Sequence, residues 1–140
     1  MTVRPAAVAA ALLLVAGCGA GDPPRQASPQ SGSVTVTPDA DGVQAVTLVT
    51  EDNFRFVPAE FTVVPGQVRV TLDNPSGTVH SLRYDDGGPV KEIPVMRSGE
   101  SESIAFTASI PGEYEFVCTF HIQFDQRGTM IVRPGDGEAG

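Results

Sequence analysis

Pro111-Gly112-Glu113-Tyr114-Glu115-Phe116-Val117-Cys118-Thr119-Phe120-His121 is the stretch from which the fold is read. It opens on a Pro-Gly turn signal and continues with period two. Tyr114, Phe116 and Cys118 share one face, and Glu113 and Glu115 share the other, as in a strand with one buried side. A loop follows, Ile122-Gln123-Phe124-Asp125-Gln126, and Arg127-Gly128 turns the chain into a last strand. Working outward, Val68, Val70 and Leu72 alternate with Arg69, Thr71 and Asp73. Phe54 and Phe56 flank Arg55 in the same way, and Ile104 and Phe106 flank Ala105. Pro65-Gly66, Asn74-Pro75 and Asp86-Gly87-Gly88 punctuate these runs as turns. No segment keeps a helical period. Short strands at fairly regular spacing predict an all-β domain over residues 43–134, an antiparallel Greek-key β-sandwich.

The same stretch carries the chemistry. The chain has 2 histidines and 2 cysteines. His80 lies just after one strand-like run, His121 lies three residues past Cys118, and the other cysteine, Cys18, is near the N-terminus. One thiolate and two imidazoles are the equatorial set of a type 1 copper site, which takes a weak axial ligand as its fourth. The spacing Cys-x2-His-x4-Gln offers Gln126 for that place. Thiolate and imidazole suit zinc as well as copper, and geometry selects between them. A structural zinc site normally recruits four strong ligands, and only three are present here. Met130, two residues past Gly128 in the last strand, is the rival axial residue and reads as core; Met96 reads as packing.

With these residues in place, the chain resembles the cupredoxins, the blue copper family. The matching segments are Phe54 to Pro58 through Val64-Pro65-Gly66, then Val68 to Asn74 leading to His80, then Pro111 to Cys118 with its loop. The loop spacing is plastocyanin-like. Two positions depart from the family pattern. The usual axial residue is methionine where this chain has Gln126, a stellacyanin-like substitution in which the amide oxygen is the ligand. The residue after the first histidine is commonly an asparagine that ties the two ligand loops together, and here it is the shorter Ser81. The resemblance implies one type 1 copper per chain, held by His80, Cys118, His121 and Gln126. It implies one-electron transfer rather than enzymatic activity, because enzymes of this type need further histidines for further copper centres. A copper-binding or copper-delivery protein of the cell surface or periplasm is the alternative.

The remaining features bound where and with what the domain works. Lys plus Arg number 9 and Asp plus Glu 17, a formal net charge of -8, which argues against nucleic acid as a partner. Residues 1–17 read as an export signal: Arg4 precedes an apolar run from Ala6 to Ala16 that is too short to span a bilayer. Leu14-Val15-Ala16-Gly17-Cys18 resembles a bacterial lipobox, so Cys18 is expected to be lipidated. Membrane contact would then be through that anchor only. Residues 18–42, rich in Gly, Pro, Ser, Asp and Gln, read as a disordered tether, with Val34 to Thr37 as an alternative edge strand. Residues 135–140 read as a disordered tail. The expected partner is a redox protein, a cytochrome or a copper enzyme, met by a monomer. Phe120, Ile122 and Phe124 read either as filling the end of the core or as an apolar rim around His121 on which that partner docks.

Overall fold

The computed structural model describes residues 32–136. The export signal and Cys18 lie outside this range, as do residues 137–140. Among the described residues, ten strands follow in chain order. They are β1 (Ser33–Thr35), β2 (Val43–Thr50), β3 (Phe56–Val57), β4 (Glu60–Val63), β5 (Gly66–Asp73), β6 (His80–Tyr84), β7 (Ile93–Met96), β8 (Ser101–Ala108), β9 (Gly112–Val117) and β10 (Arg127–Val132). The helical content among the described residues is one 3₁₀ turn at Ile122–Phe124.

The strands form two facing sheets, ordered β1-β4-β10-β9-β6-β7 and β3-β2-β5-β8. Alternation buries one row from each strand. Val68, Val70 and Leu72 of β5 face inward beside Val46 and Leu48 of β2, opposite Phe61 and Val63 of β4 and Phe116 and Met130 of the other sheet. Burying a side chain of this size stabilises by about 1.5–3 kcal/mol, so this single core dominates the fold. One polar residue joins it at low cost. The buried amide of Gln44 donates to the Val64 carbonyl at 2.8 Å and accepts from the Val64 amide at 2.8 Å, so neither end is left unsatisfied.

The sandwich is as expected from the sequence, but its sheets are mixed rather than purely antiparallel. β2 runs parallel to β5, and β4 runs parallel to both β1 and β10. The cause lies in the path of the chain. Between β2 and β5 it crosses to the opposite sheet to lay down β4, then returns in the direction it left. The folded body also begins earlier than residue 43. Ser33–Thr35 pairs with Glu60–Thr62, so the edge-strand reading holds for a segment assigned to the tether.

The sandwich places the ligand-bearing segments at one end. β6 and β9 are antiparallel, with Arg83 opposite Val117 and Tyr84 opposite Phe116. The start of β6, His80, therefore lies beside the chain leaving β9 at Cys118.

Candidate metal centre

Cys118 follows directly on β9 and is fully buried. The chain then makes a closed loop back to β10. The His121 amide donates to the Cys118 carbonyl at 3.2 Å, and the Gln126 amide to the His121 carbonyl at 3.3 Å. The Cys118 amide donates to the Gln126 carbonyl at 3.0 Å. Asp125 ends the 3₁₀ turn in the left-handed conformation, a region that Asp tolerates better than most residues. Its carboxylate is bonded by the Arg127 guanidinium, which also reaches Glu115 at 2.6 Å. These bonds turn the side chains of Cys118, His121 and Gln126 toward one point.

His80 reaches that point from β6. The ligand atoms of His80, Cys118 and His121 all lie within 4.8 Å of one another. Cys118 Sγ is 3.4 Å from His121 Nδ1 and 3.9 Å from His80 Nδ1. Gln126 Oε1 is 2.9 Å from His80 Nδ1 and 3.2 Å from His121 Nδ1. Thus all four expected residues meet. Met130 does not join them: it is a core residue with its sulfur 3.8 Å from the buried Tyr84 hydroxyl. Met96 is likewise in the core. His80, Cys118 and Gln126 are buried, and His121 is the half-exposed member. A soft sulfur, two imidazole nitrogens and an amide oxygen this close together fit one copper ion. Burial, the largest influence, holds the His80 imidazole below the ordinary histidine pKa. The Gln126 side-chain oxygen, which would accept a hydrogen bond from the charged ring, opposes this, His121 reinforces it, and Asp52 opposes it. A neutral ring keeps a lone pair for a metal.

Ser81 makes the inter-loop tie despite its short side chain. Its hydroxyl accepts from the Thr119 amide at 2.8 Å, lies 2.8 Å from Thr119 Oγ1 and points to Cys118 Sγ at 3.8 Å.

Six contributors were not assigned to the site from the sequence. Asn74, Ser76 and Thr78 form a polar network behind His80, with Ser76 Oγ 2.8 Å and Thr78 Oγ1 3.0 Å from its Nε2. The Arg55 carbonyl receives Gln126 Nε2 at 3.4 Å. Phe54 departs from its expected place. It is not the buried partner of Phe56 but sits at positive φ in the turn after Glu51. Its ring stacks on Phe124 at 4.4 Å and lies 4.6 Å from the His121 ring. The turn residues Glu51-Asp52-Asn53 were the available signal that a strand does not yet run through Phe54. Asp52 also accepts from the Gly77 amide at 2.9 Å, tying this turn to the loop before His80. Phe120, Ile122 and Phe124 are 45%, 49% and 50% exposed, which excludes the core-filling reading and makes them the rim of the His121 end.

Comparison with known proteins agrees with this geometry. The model of the cupredoxin-like domain matches residues 7–132. A plastocyanin minor isoform of Arabidopsis thaliana, chloroplastic, is 24% identical over 112 residues, which is 74% of this chain. The aligned part spans 65% of that relative's length. The dithionite-reduced auracyanin of Roseiflexus castenholzii superposes with a TM-score of 0.59 at 26% identity, covering 64% of this chain and 97% of its own. Auracyanin A of Chloroflexus aurantiacus, described as a "blue" copper protein, gives 0.57 at 20% identity, covering 66% and 100%. With the β-sandwich, the converging donors and a family match over most of its length, the chain belongs to the cupredoxin-like domain family.

Proposed function

We propose that this protein is an extracytoplasmic one-electron carrier with a single type 1 copper held by His80, Cys118, His121 and Gln126. The observation that carries the reading is the meeting of exactly one thiol, two Nδ1 atoms and one amide oxygen at a buried point. Bound there, copper supplies a couple between Cu(I) and Cu(II). The chain's own residues do the rest. Cys118 supplies the soft anionic donor, and Ser81 holds the two ligand loops in register beneath it. His121 is the donor nearest the surface. The rim of Phe54, Phe120, Ile122 and Phe124 keeps water from its edge and offers a redox partner a small apolar face, which suffices for a weak encounter. The net charge of -8 suits steering of a basic partner such as a cytochrome. Lipidation at Cys18 would tether the domain outside the membrane. Fatty-acid labelling should then mark the wild type and not Cys18→Ala, and equal labelling of the two would remove the anchor.

The purified protein is expected to bind one Cu(II) per chain, to become intensely coloured, and to cycle reversibly with a chemical reductant and oxidant. Copper delivery is the competing outcome: preferential uptake of Cu(I) and its transfer to an acceptor apoprotein. The axial assignment has its own check. An amide oxygen is a harder ligand than a thioether and favours Cu(II). Gln126→Met should therefore raise the reduction potential. A tenfold change in the relative affinity for the two oxidation states corresponds to about 59 mV for one electron, and a rise of at least that size is expected. Met130→Leu, a volume-conserving core change costing less than about 1.5 kcal/mol, should leave the potential where it is. A shift with Met130→Leu and none with Gln126→Met would transfer the axial role to Met130.

A further inference from the structure

Behind His80 the hydrogen bonds have only one self-consistent polarity. The Asn74 side-chain amide nitrogen faces two carbonyls, Thr78 at 2.8 Å and Met96 at 3.0 Å. It must be the donor there, so Asn74 Oδ1 faces the other way. That oxygen lies 2.6 Å from Ser76 Oγ, 2.9 Å from Thr50 Oγ1 and 3.1 Å from the Ser76 amide. Asn74 Oδ1 carries no hydrogen. Two oxygens 2.6 Å apart need a hydrogen between them, and it can only be that of Ser76. Ser76 therefore has no proton left for its other close neighbour, His80 Nε2 at 2.8 Å. The proton in that contact is the histidine's own.

We propose that Asn74 and Ser76 fix His80 as the tautomer protonated at Nε2, leaving Nδ1 bare toward the metal centre before any metal arrives. Hydrogens are here assigned from the network, and the network decides because it is buried: Thr50, Asn74, Ser76 and His80 are each 2% exposed or less. Thr78 does not decide. Its hydroxyl, 3.0 Å from Nε2, belongs to an exposed residue and rotates to donate or accept. The lock works against a real competitor. Gln126 Oε1, 2.9 Å from Nδ1, offers an acceptor that favours the opposite tautomer, with the proton placed where a metal must bind. Ser76 removes that option and sets two bare acceptors face to face, a pair that a cation satisfies. Ser76 and Asn74 are thus positioning residues, acting through His80 without touching the metal.

The tautomer arm of the test is independent of the copper reading, and only the affinity arm rests on it. Nitrogen-15 NMR of the metal-free wild-type protein should show His80 with Nε2 protonated and Nδ1 bare. Ser76→Ala should shift it toward Nδ1–H and weaken Cu(I) binding, measured against a chromophoric chelator, by about tenfold or more, the scale of lost outer-shell partners. Thr50→Val is the structural control. It removes the other hydroxyl on Asn74 Oδ1 but leaves the Ser76–His80 contact, so tautomer and affinity should stay as in the wild type. A wild-type His80 protonated at Nδ1 overturns the proposal without any variant. So does a Ser76→Ala protein that keeps both tautomer and affinity, or a Thr50→Val protein that loses them equally. If the tautomer responds as stated but no copper binds, the inference stands and the copper reading falls.

Discussion

Cys118→Ser is expected to abolish the visible colour of the copper-loaded protein completely and to weaken copper binding more than about a hundredfold. Losing an outer-shell partner alone costs 10- to about 100-fold, and this change removes a direct donor. The colour of a type 1 site comes from charge transfer between thiolate sulfur and metal. A serine hydroxyl offers neither the soft sulfur nor, near neutral pH, the anion. The substitution is nearly isosteric, and the local fold does not depend on the sulfur. The Cys118 backbone amide still bonds the Gln126 carbonyl, and Ser81 still holds Thr119. Thermal unfolding of the metal-free variant should therefore remain cooperative, with a loss within the ordinary range of about 0.5–3 kcal/mol for a single substitution at a buried position. Visible and electron paramagnetic resonance spectra of both proteins, each with one equivalent of Cu(II), provide the check. Colour that survives in Cys118→Ser would dismiss the thiolate as a ligand.

Cys118 and His121 were grouped by their spacing, and His80 joined them because the chain has only 2 histidines and the strand before it resembles the cupredoxin pattern; spacing by itself does not bring His80 to the same loop end. The strands were legible because each buries one face, and burial writes period two into residues such as Val68, Val70 and Leu72. Partner choice is not written that way. Val46 alternates identically whether β2 meets β5 parallel or antiparallel, so the parallel pairs had to be seen. The same limit hid the His80 support. Asn74-Pro75 reads as a turn signal, and the chain bends over Ser76, Gly77 and Thr78 with the Ser76 amide bonded to Asn74 Oδ1. The role of this segment behind the ligand appears only when the Met96 carbonyl from β7 and the Thr50 hydroxyl from β2 close around Asn74. Rim and core residues also look alike in sequence: Phe54 and Phe56 have the same character, and the left-handed conformation of Phe54 itself sets its half-buried ring beside His121 while the Phe56 ring is buried.

Gly128 shows the difference between a residue recognised and a residue explained, and it carries the largest expected loss of stability. From sequence it marks a turn. In the structure it lies within β10, opposite Phe116 of β9, and it is not one of the glycines at positive φ. Alanine would suit its backbone, so conformational freedom is not the reason for glycine. Space is. A Cβ there would overlap the ring of Phe116 on one side and the Ala59 carbonyl oxygen on the other. The ring cannot retreat, because it is fully buried and packed by Phe56, Phe61 and Tyr84, with centroids 5.3, 5.9 and 5.6 Å away. The carbonyl cannot retreat without breaking its bond from the Thr129 amide at 2.8 Å. Overpacking a tight core costs about 1–3 kcal/mol and sometimes more, and a clash with backbone belongs at the upper end. Gly128→Ala should therefore destabilise by about 3 kcal/mol, a fall in melting temperature of roughly 10–20 °C for a domain of this size. Gln126 is two residues away and β10 must shift, so copper affinity should fall with stability. Phe116→Leu in the same chain frees the ring side alone and should recover part of the loss relative to Phe116→Leu by itself. A Gly128→Ala protein that melts with the wild type would show that β10 is not held against Phe116 as closely as described.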